Sequence, residues 1–112
     1  PEAFVFPSSI SAIVIKPTLV GGICRALRWI ARAKKENKGV VISSAFESGV
    51  GSRMVANLAA FSPSAAGLGT EEWFAEDLLP AARAAGRDVI PVESLLFNWS
   101  EIDKQKLIPV LD

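Results

Sequence analysis

The fold of this 112-residue chain is decided by two apolar runs with polar ends: Ser11-Ala12-Ile13-Val14-Ile15-Lys16 and Val40-Val41-Ile42-Ser43-Ser44. Their β-branched side chains predict two short strands. Pro17 ends the first strand because it has no amide hydrogen for a ladder. A helical pattern follows each run, over about 23–37 and up to about 61. Strands that alternate with helices in this way predict a parallel sheet with right-handed crossovers.

The spacing of apolar residues predicts which helical side chains reach the core. The expected buried sets are Ile23, Leu27, Ile30 and Ala31 in the first helix, and Val50, Met54, Leu58 and Phe61 in the second. The run Asn37-Lys38-Gly39 is typical of a helix exit. A third, very short strand is expected at 65–68, before Gly69 and Thr70.

The spacing between strand ends fits a barrel of alternating strands and helices. Ser43 lies 27 positions after Lys16, whereas a unit of a (β/α)8 barrel takes about 31 residues. This agreement indicates barrel-like units with short loops. A doubly wound sheet has similar spacing, so length alone does not decide between the two α/β architectures.

Composition narrows the chemistry that the chain can perform. Twelve basic residues balance twelve acidic ones, so no overall field favours nucleic acid or a membrane surface as a partner. Histidine is absent and Cys24 is the single cysteine. These counts exclude Ser-His-Asp and Cys-His catalysis and any histidine-ligated or multi-cysteine metal site formed by this chain alone. Lys, Asp, Glu, Ser, backbone amides or a bound ion must therefore carry any reaction.

Lys16 is the first candidate for a catalytic residue. Strand alternation puts Val14 and Lys16 on one face and Ile13 and Ile15 on the other. In a barrel the isoleucines would face the helices, and the ammonium would lie at the mouth. A lysine held there can act as a general base if burial lowers its pKa. The alternative is a strand-end lysine that extends into solvent.

Other candidates follow the same strand ends. The hydroxyls of Ser43 and Ser44 can bind a carboxylate, or they can cap a local turn. The glycine pairs Gly21-Gly22 and Gly49-Val50-Gly51 predict bare backbone amides at helix starts, where an anion can bind. Glu47 could ligate a metal or form a salt bridge. A single carboxylate does not make a magnesium site, so we assign no metal ligand.

Three stretches of the chain resemble a known family. They are 12–22 (AIVIKPTLVGG), 40–51 (VVISSAFESGVG) and 67–70 (GLGT). Together they closely resemble the o-succinylbenzoate synthase family of the enolase superfamily, over about residues 11–78. The GLGT stretch with Trp73-Phe74 and Glu76-Asp77 looks most like the photosynthetic branch, which serves phylloquinone or menaquinone synthesis.

The resemblance implies a fold, a reaction and a set of site residues. The fold would be α/β, a partial TIM-type barrel with strands six to eight in residues 1–78 and a helical or extended extension in 79–112. The family dehydrates 2-succinyl-6-hydroxy-2,4-cyclohexadiene-1-carboxylate to 2-succinylbenzoate with Mg²⁺. Lys16 matches the sixth-strand lysine, whose charge faces the substrate ring and the intermediate. Gly22, Ser43, Ser44 and Gly69 match substrate-binding positions.

The departures from the family are equally specific. The second-strand Lys-x-Lys and the three carboxylates that bind Mg²⁺ have no counterpart here, and Ala66 replaces a frequent histidine. We therefore expect a C-terminal fragment, with little activity of its own, that needs the first barrel half from the same or another chain. N-acylamino acid racemisation, dipeptide epimerisation and a non-catalytic remnant remain alternatives. The resemblance implies a small carboxylate substrate, and a plastid location in a photosynthetic eukaryote or a cytoplasmic one otherwise.

Overall fold

A computed structural model describes residues 3–70 and Ser100 of the chain. Its elements are strand β1 (Ala12–Ile15), helix α1 (Ile23–Lys35), strand β2 (Gly39–Ile42) and helix α2 (Gly49–Ala59). The two strands pair in parallel, from Ala12 opposite Gly39 to Ile15 opposite Ile42. This confirms the predicted α/β unit, in which a helix connects two parallel strands.

The sheet continues on the far side of β2 at Gly67. This glycine forms a parallel bridge with Ser43. Its amide donates to the carbonyl of Ile42 at 2.9 Å, and its carbonyl accepts from the amide of Ser44 at 2.9 Å. The third strand expected at 65–68 is thus present as a single bridge. The expected boundary at 78/79 lies outside the described residues, as does the extension at 79–112 apart from Ser100.

One face of the sheet carries the core. Ile15 and Ile42 are 2% and 0% exposed, whereas Val14 is 65% exposed on the opposite face. The buried cluster combines strand residues with residues of both helices: Ile15, Val40 and Ile42, Ala26, Ile30 and Ala33 from α1, and Val55, Leu58 and Ala59 from α2. Both helices therefore pack on the same side of the strands, and the predicted alternation of β1 is confirmed.

The buried face of α1 differs from the expected one. Ile30 is buried as predicted and Ile23 packs against the core, but Leu27 is 45% exposed and Ala31 is exposed. The contact line runs instead through Ala26 and Ala33, both completely buried. Alanine brings a helix backbone closer to a sheet than a branched side chain does, so the smallest residues take the closest positions.

The expected face of α2 is wrong at two of its four positions, and Val50 is half-buried. Leu58 is buried as predicted, whereas Met54 is 53% exposed and Phe61 is 71% exposed. Val55 and Ala59 turn towards the sheet with Leu58, so the helix is rotated relative to the stripe that the largest side chains define. Phe61 lies beyond Ala59, where the helix ends. Its spacing from the helical residues therefore does not predict burial on the same face.

The exit from α1 has the hydrogen bonds of a Schellman motif. The amide of Lys38 donates to the carbonyl of Ala33 at 2.8 Å, and the amide of Asn37 donates to Lys34 at 3.1 Å. Asn37 has a φ of 54°, a left-handed conformation that asparagine tolerates better than most residues. The predicted helix exit is confirmed. Neither of the two described helices is long and apolar enough to cross a membrane.

Candidate functional site

Lys16 lies at the carboxyl end of β1, directly after the last paired residue. Its half-buried side chain reaches across to the end of β2. The Nζ atom donates to the backbone carbonyl of Ser44 and lies 3.3 Å from Oγ of Ser43. The alternative of a strand-end lysine extending into solvent is therefore wrong, because protein oxygens hold this ammonium. Its part in a reaction stays a prediction.

The register of the sheet explains why these groups meet. Ile15 lies opposite Ile42, and the amide of Ser43 donates to the carbonyl of Ile15 at 2.9 Å. The next residue of each strand is therefore Lys16 on one and Ser43 on the other, at the same edge of the sheet. Ligands of parallel α/β proteins bind at this carboxyl edge.

Ser44 joins the end of β2 to the third strand position. Its side chain is completely buried. The hydroxyl donates to the carbonyl of Gly67 at 3.2 Å and accepts from Oγ1 of Thr70 at 2.9 Å. Both functions of the hydroxyl are thus used within the protein. The hydroxyl of Ser43 is half-buried and lies beside the ammonium, and substrate contact by either serine stays a prediction.

Glu47 connects the loop after β1 to the loop after β2. The hydroxyl of Thr18 donates to Oε1, and the amide of Ala45 donates to Oε2 at 2.6 Å. Burial raises the pKa of Glu47. Four interactions outweigh burial and hold that pKa below its ordinary value: the hydrogen bonds from Thr18 and Ala45, a hydrogen bond from the backbone of Glu47 itself, and the charge of Lys16. The expectation for this carboxylate was a metal ligand or an ion pair, whereas both of its oxygens accept hydrogen bonds.

Thr18 and Thr70 are site residues that the sequence did not predict, and the hydrogen-bond partners of Glu47 were not predicted either. The Thr18–Glu47 bond spans 29 positions and the Thr70–Ser44 bond spans 26. Polar residues in loops have many local partners, so no signal in the sequence selects these distant ones. Their positions in the chain were the one available indication, because each of these residues lies in a segment that follows a strand end.

Two of the glycines near the helix starts have backbone amides that already donate hydrogen bonds within the protein. Gly22 has a φ of 96°, and its amide donates to the carbonyl of Pro17 at 2.7 Å. The amide of Gly51 faces the hydroxyl of Ser48 at 3.5 Å. The expectation of bare amides is therefore wrong at these two positions. Gly69 is exposed, two residues after the bridge at Gly67, and substrate binding by Gly22 and Gly69 stays a prediction.

The described residues do not fit a magnesium site. Among residues 3–70 and Ser100, no group of three or more acidic, cysteine or histidine side chains comes together. Both carboxylate oxygens of Glu47 already accept hydrogen bonds, and Mg²⁺ needs several free oxygen ligands. The thiol of Cys24 is exposed on α1. A magnesium ion in a complete enzyme stays a prediction from the resemblance.

The arrangement around Lys16 can bind an anion. An ammonium has three N–H donors. Two of those of Lys16 donate to the carbonyl of Ser44 and the hydroxyl of Ser43. The remaining N–H has no acceptor among the described residues. Such a donor on a rigid strand end can bind a carboxylate or stabilise negative charge that develops beside it. The fold and the site thus describe a parallel α/β unit with a cationic group at its carboxyl edge.

Part of the chain is similar to known o-succinylbenzoate synthases. A segment of 52 residues is 44% identical to the o-succinylbenzoate synthases of Yersinia pestis (strain Pestoides F) and of Yersinia pseudotuberculosis serotype O:3 (strain YPIII). This segment is 46% of the chain but spans only 16% of the length of those relatives. No protein-family model matches the chain, and no solved structure does.

Proposed function

We propose that this chain supplies part of the active site of an o-succinylbenzoate synthase. In this proposal, Lys16 binds and stabilises the carboxylate of 2-succinyl-6-hydroxy-2,4-cyclohexadiene-1-carboxylate while the ring loses water. The partial similarity to the synthases of Yersinia supports this choice of reaction. The packing of α1 and α2 on one side of the strands fits a segment of a barrel, and it fits one half of a doubly wound sheet equally well.

One observation carries the proposal. The ammonium of Lys16 and the hydroxyl of Ser43, 3.3 Å apart, lie together at the carboxyl edge of the sheet. A cation that donates hydrogen bonds suits a substrate whose negative charge grows during the reaction. A rigid strand end also suits this task, because the donor needs little reorganisation when the charge develops.

The proposed role of Lys16 is electrostatic. A base removes the proton from the carbon that bears the carboxylate, and the electron pair delocalises onto the carboxylate oxygens. That pair then forms the new ring double bond as hydroxide leaves the neighbouring carbon, so that proton and hydroxide together make one water. The N–H of Lys16 that no described residue accepts would donate to the charged oxygens while the charge is greatest.

The base and the magnesium ligands are proposed to come from the remainder of the enzyme. The matched segment spans 16% of the relatives, and the described residues bring no group of three or more acidic, cysteine or histidine side chains together. The first half of the barrel, in the same or another chain, is therefore part of the proposal.

The test is turnover of the full-length protein with the hydroxycyclohexadiene carboxylate. Lys16→Met keeps the length of the side chain and removes the charge. We expect it to lower kcat by about 10²–10³-fold, the usual loss when one donor to a developing oxyanion is removed. Lys38→Met is the matched control, since Lys38 also donates to a backbone carbonyl, that of Ile10 at 2.7 Å. This control should keep normal turnover.

Three results would contradict the proposal. Equal kcat in the two lysine variants would remove Lys16 from the reaction. Turnover of N-acylamino acids or dipeptides without turnover of the hydroxycyclohexadiene carboxylate would favour racemisation or epimerisation. A complete protein that turns over none of these substrates would favour a non-catalytic remnant.

A further inference from the structure

The carboxylate of Glu47 accepts hydrogen bonds from both of the loops that the Lys16–Ser44 hydrogen bond connects. On one side, its Oε1 accepts from Thr18, two residues after Lys16. On the other, its Oε2 accepts at 2.6 Å from the amide of Ala45, the residue after Ser44. The carboxylate thus fixes the two loops relative to each other close to the lysine and its acceptor.

The backbone and the side-chain stem of Glu47 are held as well. A methyl group placed on Gly51 would lie 2.8 Å from Cβ and 3.2 Å from Cγ of Glu47, so the glutamate packs directly against the first turn of α2. The carbonyl of Glu47 accepts from the hydroxyl of Ser52 at 3.3 Å. Contacts at both ends of the residue leave the carboxylate few alternative positions.

The residue before Glu47 adopts a costly conformation. Phe46 has a φ of 59° while its side chain is 64% exposed. A left-handed conformation in a residue other than glycine persists only where surrounding contacts impose it. The Phe46 side chain is largely exposed, and its neighbours carry the contacts that flank this turn: the amide of Ala45 donates to Oε2 of Glu47, and the carbonyl of Glu47 accepts from Ser52.

We propose that Glu47 is a positioning residue that ties the loop after β1 to the loop after β2 and thereby holds the Lys16 ammonium on the Ser44 carbonyl. Without this tie, the lysine would leave the carbonyl more often and sample solvent. The inference deepens the proposed function, because it concerns the same lysine. Its test needs no substrate, so each can fail without the other.

The test measures how readily each lysine of the full-length folded protein reacts with a limiting amount of acetic anhydride. Lys34 and Lys35, which are exposed on α1, calibrate the reagent. We expect Glu47→Ala to raise the relative acetylation of Lys16 about fivefold, the factor that corresponds to about 1 kcal/mol for a lost hydrogen bond. Thr18→Val removes the donor to Oε1 and should raise it in the same direction.

Two control variants separate positioning from general loosening. Glu47→Gln should raise the acetylation of Lys16 by less than about twofold, because an amide can accept from Ala45 and donate to Thr18. Glu36→Ala removes an exposed carboxylate that pairs with Arg32 at 3.0 Å and should leave Lys16 unchanged. Thr18 is exposed, so its variant keeps the test valid if Glu47→Ala does not fold.

Lys38 is the internal reference for unfolding, because its Nζ also donates to a backbone carbonyl. A rise at Lys16 with no rise at Lys38, in Thr18→Val and in Glu47→Ala where that variant folds, supports the proposal. A rise at both lysines means that the whole unit has loosened and overturns it. Unchanged acetylation of Lys16 in either variant also overturns it, since the tie would then not act through Thr18 and Glu47.

Discussion

Lys16 and Ser43 lie at the same level of two parallel strands, and Nζ of the lysine is 3.3 Å from Oγ of the serine. The pairing of Ile15 with Ile42 creates this relationship, because the next residue of each strand then falls at the carboxyl edge. Two polar groups 27 positions apart in the chain become neighbours without any long loop. The edge therefore carries one ammonium, and the buried residues Ile15 and Ile42 lie directly before it in the two strands.

Ser44→Ala should destabilise the protein more than Ser43→Ala. The buried hydroxyl of Ser44 bonds both Gly67 and Thr70, so its loss leaves a hydroxyl and a carbonyl with fewer partners. We expect a decrease of about 1–2 kcal/mol in the free energy of unfolding. Denaturation with urea, monitored by tryptophan fluorescence, measures it.

The neighbouring serine is the control for that change. Ser43 is half-buried, and Lys16 retains the carbonyl of Ser44 as an acceptor when the Ser43 hydroxyl is removed. Ser43→Ala should therefore cost less than about 1 kcal/mol. Equal costs for the two variants would show that the Ser44 hydroxyl does not connect the strands.

Alanine substitutions at two residues of α2 test which face of this helix packs against the sheet. Leu58 is 4% exposed and Met54 is 53% exposed. Leu58→Ala should cost about 2–4 kcal/mol because it leaves a cavity, whereas Met54→Ala should cost less than about 1 kcal/mol. Thermal and urea denaturation measure both, and a larger cost at Met54 would mean that α2 packs with the opposite face.

Glu47 should make the stability of the protein depend on pH in the acidic range. Burial raises the pKa of Glu47, but hydrogen bonds from Thr18 and Ala45 hold it below its ordinary value. A carboxyl group with a lowered folded-state pKa stabilises fully above its unfolded pKa, about 4.3 for glutamate, and less as the pH falls through the folded value. The stability advantage of the wild type over Glu47→Gln should therefore be largest near about pH 7 and shrink below about pH 4.

The same series of urea denaturation curves should be recorded for Thr18→Val. Removal of the Thr18 hydroxyl takes away the strongest interaction that lowers the pKa of Glu47, so this variant should lose stability less steeply on acidification than the wild type. An advantage of the wild type over Glu47→Gln that grows as the pH falls would reverse the sign and contradict this account.

The strand-end residues could be predicted because they depend on short-range patterns. The alternation of Val14 with Ile13 and Ile15 predicted the face of Lys16, and parallel pairing then brings this strand-end candidate beside another one, Ser43. The Thr18–Glu47 bond could not be predicted in the same way. It depends on the left-handed turn at Phe46, which nothing in the nearby sequence demands.

Local physics, acting over a few residues, determined the elements of this protein from its sequence alone. β-branched runs and Pro17 set the strands, and Asn37 accepts the left-handed turn that ends α1. Tertiary structure decided which helix faces are buried and which loop side chains meet. The rotation of α1 depends on how closely its backbone can approach the sheet. The small residues Ala26 and Ala33 are therefore completely buried, although larger apolar residues of the same helix are more hydrophobic.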